Sequence, residues 1–313
     1  MAHPVARNDM LQLRTAGYLA LDNLRARGEF PPRWNSIDEL EEVTDRFMQQ
    51  FMQARLEASK TLGPGFQMLE ILDSAVRSSE TEKMDAETTP GPQKLEMVRA
   101  LDRMNEMTLA YRHQVDMLLP IIGELSRLKP GPVRVLELAC GSGGLAFTLA
   151  GLARHKEIEI TVTASDILAE TVDEGRRRAM EKSLPLEFIV MNAFDFEGVE
   201  QDSIDLVMIS QSMHHFSPGQ FALMIARAKS RGATAFVGID GHRSLLLLAG
   251  VPLVASLQGS DAFTSDGLTS ARKFYSELEL EIIAEIATGR RAHRVECSWP
   301  MSLMDIRFER NSH

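Results

Sequence analysis

Apolar side chains recur at helical spacing through the first 75 or so residues. Met10, Leu11, Leu13, Leu19, Leu21 and Leu24 form one set, ended by Gly28 and Pro31-Pro32. Ser36 and Glu39 have the spacing of a capping box. Ile37, Leu40, Val43, Phe47 and Phe51 then follow at steps of three and four until Gly63-Pro64-Gly65. Residues 77–93 are polar with two prolines and read as a surface linker. A long helical stretch resumes near Lys94, with a break expected at Pro120, and Lys129-Pro130-Gly131-Pro132 closes it.

Beyond that point the period changes. Short apolar runs at 133–138, 158–164, 186–191, 204–210 and 234–239 alternate with helical segments, which predicts a parallel sheet with helices on both faces. Residues 280–287 and 302–308 read as a closing pair of strands. The expected architecture is a Rossmann-like α/β fold: seven strands, mostly parallel, with a final antiparallel hairpin. Residues 1–92 would form an N-terminal helical extension with its linker, and residues 93–313 the α/β domain.

The sharpest chemical signal is Val133-Arg-Val-Leu-Glu-Leu-Ala-Cys-Gly-Ser-Gly-Gly-Leu-Ala, a buried strand running through a glycine-rich turn into a helix. Glu137 at the strand end can hold a cationic amino group or orient the loop. The turn alone leaves two readings open. Gly141, Gly143 and Ala146 also fit the dinucleotide pattern G-x-G-x-x-G/A, and Asp166 lies 20 residues beyond Ala146, where a carboxylate takes ribose hydroxyls in either case.

Composition narrows the class. The balance of 44% hydrophobic and 25% charged residues is that of a globular protein. The net charge is −10, and the longest basic run is Arg176-Arg177-Arg178. Both argue against nucleic acid or an anionic membrane as partner and favour a small neutral or cationic ligand. The longest apolar stretch, 245–257, falls short of the ~20 residues of a membrane span and contains Gly250 and Pro252. Two distant cysteines and an N-terminus without a signal-like apolar run point to a reducing, cytoplasmic setting.

The series ELACGSGG, TVTASDIL, FIVMNAFDF and IDLVMISQSMHHF resembles the four ordered motifs of class I S-adenosylmethionine-dependent methyltransferases. It is most similar to the small-molecule subset that resembles the ubiquinone- and menaquinone-biosynthesis enzymes. The resemblance spans roughly residues 94–313, and the segment DGLTSARKFYSEL from Asp266 also looks like that subset. It implies that S-adenosylmethionine is the cofactor. Glu137, Gly141 and Gly143 would frame its methionine part, Asp166 its ribose, and Asn192 and Ala193 its adenine, with Ala139 and Ile167 also at the cofactor. Ser210 and Gln211 would close the site. Two positions depart from the family pattern: Ala139 stands where a glycine is usual, tolerable with negative φ, and Asn192 where an aspartate is common.

His214 and His215 follow the fourth strand, at the edge of a parallel sheet that faces the ligand crevice. Methyl transfer to a hydroxyl needs a base, and an imidazole with a pKa near 6.5 suits that task, His215 ahead of His214. His242, Asp266, Arg272 and Tyr275 are candidates for substrate contact, and residues 245–257 with Phe263 for an apolar lid. No metal site is expected, because no carboxylate sits at ligand spacing from the histidine pair. The N-terminal helices would cap the site or form a homodimer. The expected activity is methyl transfer to oxygen, with carbon or nitrogen as lesser options, on a small and fairly apolar molecule. The rivals are a fold that binds the sulfonium without transferring its methyl, an NAD-dependent oxidoreductase, and a non-catalytic interaction subunit.

Overall fold

The computed structural model describes residues 12–257, 261–291 and 293–309, so Met10 and Leu11 lie outside the described residues. The chain opens with helices α1 (Leu13–Ala26), α2 (Leu40–Leu62), α3 (Pro64–Val76), α4 (Gly91–Met107) and α5 (Ala110–Ser126). The alternating part follows: β1 (Val133–Leu138), α6 (Gly144–His155), β2 (Ile160–Asp166), α7 (Ala169–Lys182), β3 (Leu186–Val190) and β4 (Leu206–Ser210). Then come α8 (Pro218–Ser230), β5 (Ala235–Gly241), α9 (Leu245–Ser256), α10 (Asp261–Lys273), α11 (Glu277–Thr288), β6 (Arg294–Ser298) and β7 (Met301–Arg307). The seven-stranded sheet has the order β3-β2-β1-β4-β5-β7-β6. Strands β1 to β5 run parallel, and β7 pairs antiparallel with both β5 and β6.

Several expectations shift, each for a local reason. Residues 280–287 are helix α11, not a strand: the run is buried on every side, so no amphipathic period marks it. The closing hairpin is therefore β6–β7. The box expected at Ser36 is not made; Glu39 instead accepts from the backbone and side-chain nitrogens of Asn35. Complete boxes form at Ser217–Gln220 and Ser276–Glu279, at the starts of α8 and α11. The break expected at Pro120 lies at Leu109, whose φ of 57° turns the chain, while Pro120 is carried inside α5.

Two apolar layers sandwich the sheet. One face packs α5, α6 and α7 against side chains such as Val135, Val162 and Leu206. The other packs α8 and α11 against Leu136, Leu138, Val207 and Ile209, and here α1 and α2 join the same cluster through Leu21, Leu24, Phe47 and Phe51. Each fully buried side chain of this size contributes about 1.5–3 kcal/mol, so α1 and α2 are part of the main core. Helix α2 crosses α8 closely: a Cβ on Gly219 would lie 2.1 Å from the carbonyl oxygen of Glu41. Asp45 of α2 accepts from Ser217 Oγ at 2.8 Å and from the Gly219 amide at 2.7 Å, capping α8 from outside.

A second tie is ionic. Asp73 of α3 is buried and accepts from three guanidinium groups: Arg55 of α2 at 2.6 Å, Arg77 at 3.0 Å and Arg243, beyond β5, at 2.7 Å. Arg77 also pairs with Glu279 of α11 at 2.8 Å, and Arg243 donates to the carbonyls of Arg272 and Phe274. Burial pushes the Asp73 carboxyl up, but the three cations outweigh it and hold the pKa at about 2. Its ion pairs are complete above the unfolded value near 3.9 and are lost as pH falls through about 2. Asp73→Asn, which strands buried cations, is expected to lower stability by about 3–5 kcal/mol in urea unfolding at neutral pH and to flatten the acid limb of the stability curve.

Candidate active site

The glycine turn sits where the strand ends open. At its start Ala139 has φ +49°, not the negative φ on which its tolerance was predicated, so an L-residue here occupies the left-handed region at a cost of about 1–2 kcal/mol. The turn is held by backbone bonds from Cys140 N to Ser165 O and from Gly143 N to Cys140 O, both 2.9 Å. Gly143 takes φ +81° as the residue before α6, and a Cβ there would strike Phe188 at 2.5 Å. Its role is packing; it does not line the cavity.

A cavity of about 740 Å³ opens over this turn, within the ~300–1,000 Å³ usual for small-molecule sites. Its lining includes Glu137, Ala139, Gly141, Asp166, Ile167, Ser210, Gln211, His214, His215, Arg272 and Tyr275. It does not include Asn192, Ala193, His242 or Asp266. Asn192 Oδ1 accepts from the Phe194 amide at 2.9 Å, and Phe194 takes the place on the wall. Residues 245–257 are not a lid: none lines the cavity, and α9 packs against α10 with Leu245, Leu246, Leu253 and Leu257 exposed.

Glu137 is buried at the cavity floor, and its Oε2 has no partner. Burial, with the charges of Asp102 and Asp166 nearby, raises its pKa to about 8. Asp166 accepts from the Gly141 amide at 2.8 Å and the Leu168 amide at 2.9 Å, tying the tip of β2 to the glycine turn. Helix α4 closes this end from above. Its Asp102 accepts from Tyr111 Oη, from Ser142 Oγ and from Arg178 Nη1, which clamps α4, α5 and α7 onto the turn. Gln114 accepts from Ser210 Oγ at 2.8 Å and leaves its own Nε2 without a partner.

The other end of the cavity is built by the segment read as a surface linker. Residues 77–90 strap across the strand ends. Asp266 accepts from the Lys83 and Met84 amides, each at 3.0 Å, and so holds the strap, not a substrate. The strap buries Glu82, which accepts from Ser270 Oγ at 2.8 Å and lies 3.4 Å from Lys273 Nζ. Glu82 is also 3.6 Å from His214 Nε2 and 3.8 Å from His215 Nδ1. His214 is fixed from behind by Asp240 of β5, which takes its amide at 3.0 Å and lies 2.8 Å from Nδ1. His215 Nδ1 lies 2.5 Å from Asp85 of the strap. Burial pushes the His215 pKa down, but the Asp85 bond and the charges of Glu82 and Asp85 outweigh it and raise the pKa, despite opposition from Lys273.

Arg272 and Tyr275 line the wall but are engaged with backbone: Arg272 Nε donates to Val76 O at 3.0 Å and Tyr275 Oη to Phe216 O at 2.6 Å. Of the residues that sequence reasoning missed, Asp240 was the most legible, a carboxylate at a strand end. Glu82, Asp85, Asp102, Tyr111 and Gln114 come from the helices and strap that precede β1, distant in sequence from the groups they meet, and carry no local signal.

Glu137 is neutral in the empty cavity below about pH 8 and ionised in the unfolded chain above about 4.5. Its burial therefore costs stability increasingly as pH rises through that window, because the unfolded state gives up the proton first. Glu137→Gln is expected to remove this downward slope of unfolding free energy between about pH 5 and 8, read by urea titration at stepped pH.

Comparison with known proteins agrees with the geometry. Residues 135–245 match the methyltransferase domain family. Over 97 residues the chain is 35% identical to an S-adenosyl-L-methionine-dependent Diels-Alderase from Talaromyces variabilis, covering 30% of this chain and 31% of that protein. Over 90 residues it is 29% identical to a ubiquinone biosynthesis O-methyltransferase from Xanthomonas axonopodis pv. citri, covering 29% and 35%. The chain thus matches about a third of the length of these curated relatives. Among solved structures, the plantazolicin methyltransferase BpumL in complex with SAH aligns with a TM-score of 0.55 at 10% identity, over 78% of this chain and 98% of that one, a likeness of fold. Strand order, the sequence of strand-end motifs and the match over residues 135–245 together make the α/β part of the chain similar to the class I S-adenosylmethionine-dependent methyltransferases.

Proposed function

We propose that the protein transfers a methyl group from S-adenosylmethionine to an oxygen of a small, fairly apolar molecule. The observation that carries this reading is the continuity of one cavity from the glycine turn to the His215–Asp85 pair. The residues present suit the cofactor. The orphaned Glu137 Oε2 is matched to an ammonium group, the unpaired Gln114 Nε2 to a carboxylate, and Ile167, 63% exposed, to the face of a nucleoside. Bound there, S-adenosylmethionine supplies a sulfonium-activated methyl group. The role of the chain is to align the acceptor and remove its proton.

In this reading His215 is the base. Asp85 on Nδ1 fixes the ring and leaves Nε2 to take the proton, while Asp240 and Glu82 hold His214 beside it. Phe194, Phe216 and Tyr275 provide an apolar wall for the acceptor. A cytoplasmic setting belongs to the same reading and rests on the two free cysteines. Among the described residues no helix is long and apolar enough to cross a membrane. A homodimer would have to use surfaces of α1 and α2 other than those packed on α8 and α11.

A second reading has one observation in its favour, the similarity to the Diels-Alderase. There the sulfonium would stay intact, and the cavity would steer a rearrangement of the substrate. Accumulation of S-adenosylhomocysteine with a methylated product supports transfer, whereas turnover with the cofactor unconsumed supports this alternative.

Titration calorimetry against S-adenosylmethionine, S-adenosylhomocysteine and NAD is the first test. Binding of the first two at about micromolar Kd, weakened by Asp166→Ala, is expected. At pH 7 it should release about one proton per site, because the ammonium ionises Glu137; Glu137→Gln should abolish that release. Binding of NAD alone would sink the reading.

With an accepted substrate, the rate should fall as pH drops through the raised His215 pKa, since only the neutral ring can accept a proton. Asp85→Asn should move that limb to lower pH, and His215→Ala should lower kcat about 10²-fold or more with cofactor affinity retained.

A further inference from the structure

Outside the cavity, His242, Glu277 and Cys297 converge, although the sequence holds them far apart. His242 follows β5, Glu277 opens α11, and Cys297 lies in the edge strand β6. One imidazole nitrogen, one carboxylate oxygen and the thiol sulfur lie within 4.8 Å of one another. The register explains the meeting. Asp240 pairs with Ser302 and Ser302 with Cys297, so these side chains share a face, and His242, two residues beyond Asp240, falls on the same side.

Each group is also held in place. Ser302, fully buried, has its Oγ 2.9 Å from His242 Nδ1. The His242 amide donates to Pro300 O at 3.0 Å, and the Trp299 ring stands edge-on to the imidazole at 6.5 Å. Glu277 is fixed by its place in the first turn of α11, where a capping box sets the helix start.

We infer that His242, Glu277 and Cys297 form a binding site for a divalent transition-metal ion of the zinc class. A thiolate, an imidazole and a carboxylate are the three donor types that zinc accepts together, and three protein ligands leave a fourth position for water. Calcium and magnesium select all-oxygen sites, so the sulfur and nitrogen donors exclude them. Binding displaces the proton of the Cys297 thiol to solvent, and no electron is transferred. The half-exposed setting gives the ion a route in. Bound there, it would brace the terminal β6–β7 hairpin to β5 and to the start of α11, with its fourth position open to water at the sheet edge. This departs from the expectation of no metal, whose premise also fails at the histidine pair, since the strap brings the Glu82 carboxylate within 4.8 Å of both rings.

The test uses the full chain, stripped with a chelator and titrated with Co²⁺ as an optical probe. A thiolate-to-cobalt charge-transfer band saturating at one equivalent, reversed by Zn²⁺, is expected. Cys297→Ser should abolish the band, His242→Ala and Glu277→Gln should each weaken binding, and Ser302→Ala should cost about tenfold in affinity through the ring it orients. Cys140→Ser should leave the titration unchanged. Zn²⁺ should raise the Tm of the wild type and not that of Cys297→Ser. No band in the wild type, a band that survives Cys297→Ser, or thiol binding indifferent to both His242 and Glu277 would overturn the site.

Discussion

The carboxylate of Asp73 is the constraint on which the arrangement of the site depends. Three guanidinium groups reach it from α2, from the residue after α3 and from the exit of β5, and two of them bond onward to α11 and to the end of α10. A buried cluster of this kind is weak evidence for net stability, since desolvation offsets most of the Coulombic gain. Its value is directional: each guanidinium accepts only the geometry its partners allow. The strap begins at Arg77, so the cluster fixes where the strap starts. Asp266 then fixes its middle, and between them Glu82 has no choice but to enter beneath α10.

That placement accounts for the charge at the histidine pair. The strand ends alone supply two imidazoles and the Asp240 carboxylate. The strap adds Glu82 and Asp85, and α10 adds Lys273. The two rings consequently face different surroundings, although adjacent in sequence. His214 is buried between Asp240 and Glu82, and its edge packs against Phe274. His215 is paired with the exposed Asp85 at the cavity wall. Both rings line the cavity, so burial and partners, more than the identity of the residue, distinguish them.

What the sequence made legible follows the range of the signal. The strand β1, the glycine turn, Asp166 and the histidine pair are marked by neighbours a few residues away, and the structure puts them around one cavity. Asn192 and Ala193 fell off the wall because one residue of shift in a turn exchanges the side chain that faces inward for its neighbour, here Phe194. The strap was misread for a plainer reason. Its polar residues resemble those of a solvated linker, and burial of Glu82 depends on Ser270 and Lys273, which lie 188 and 191 residues away. Helix α11 failed in the opposite sense: a helix buried all round loses the alternation by which helices are recognised.

Two residues in the left-handed region sharpen the picture of how the crevice is cut. Ala139 follows β1 and Gln211 follows β4, adjacent parallel strands, with φ of 49° and 52°. Neither is glycine, so each carries a cost of about 1–2 kcal/mol that neighbouring bonds must offset. Those bonds are present: Gln211 N donates to Ile239 O at 2.8 Å, and Ser212 Oγ reaches Ala139 O at 3.3 Å, joining one turn to the other. Strain of this sort persists only where the surroundings over-determine the backbone. Its effect is to turn both chains sharply at the same level of the sheet, one into the glycine turn over Glu137 and the other toward His214 and His215. The two ends of the cavity are thus set by one pair of coupled bends, which gives a physical reason for the distance between Glu137 and the histidine pair to be a property of the sheet and not of its loops.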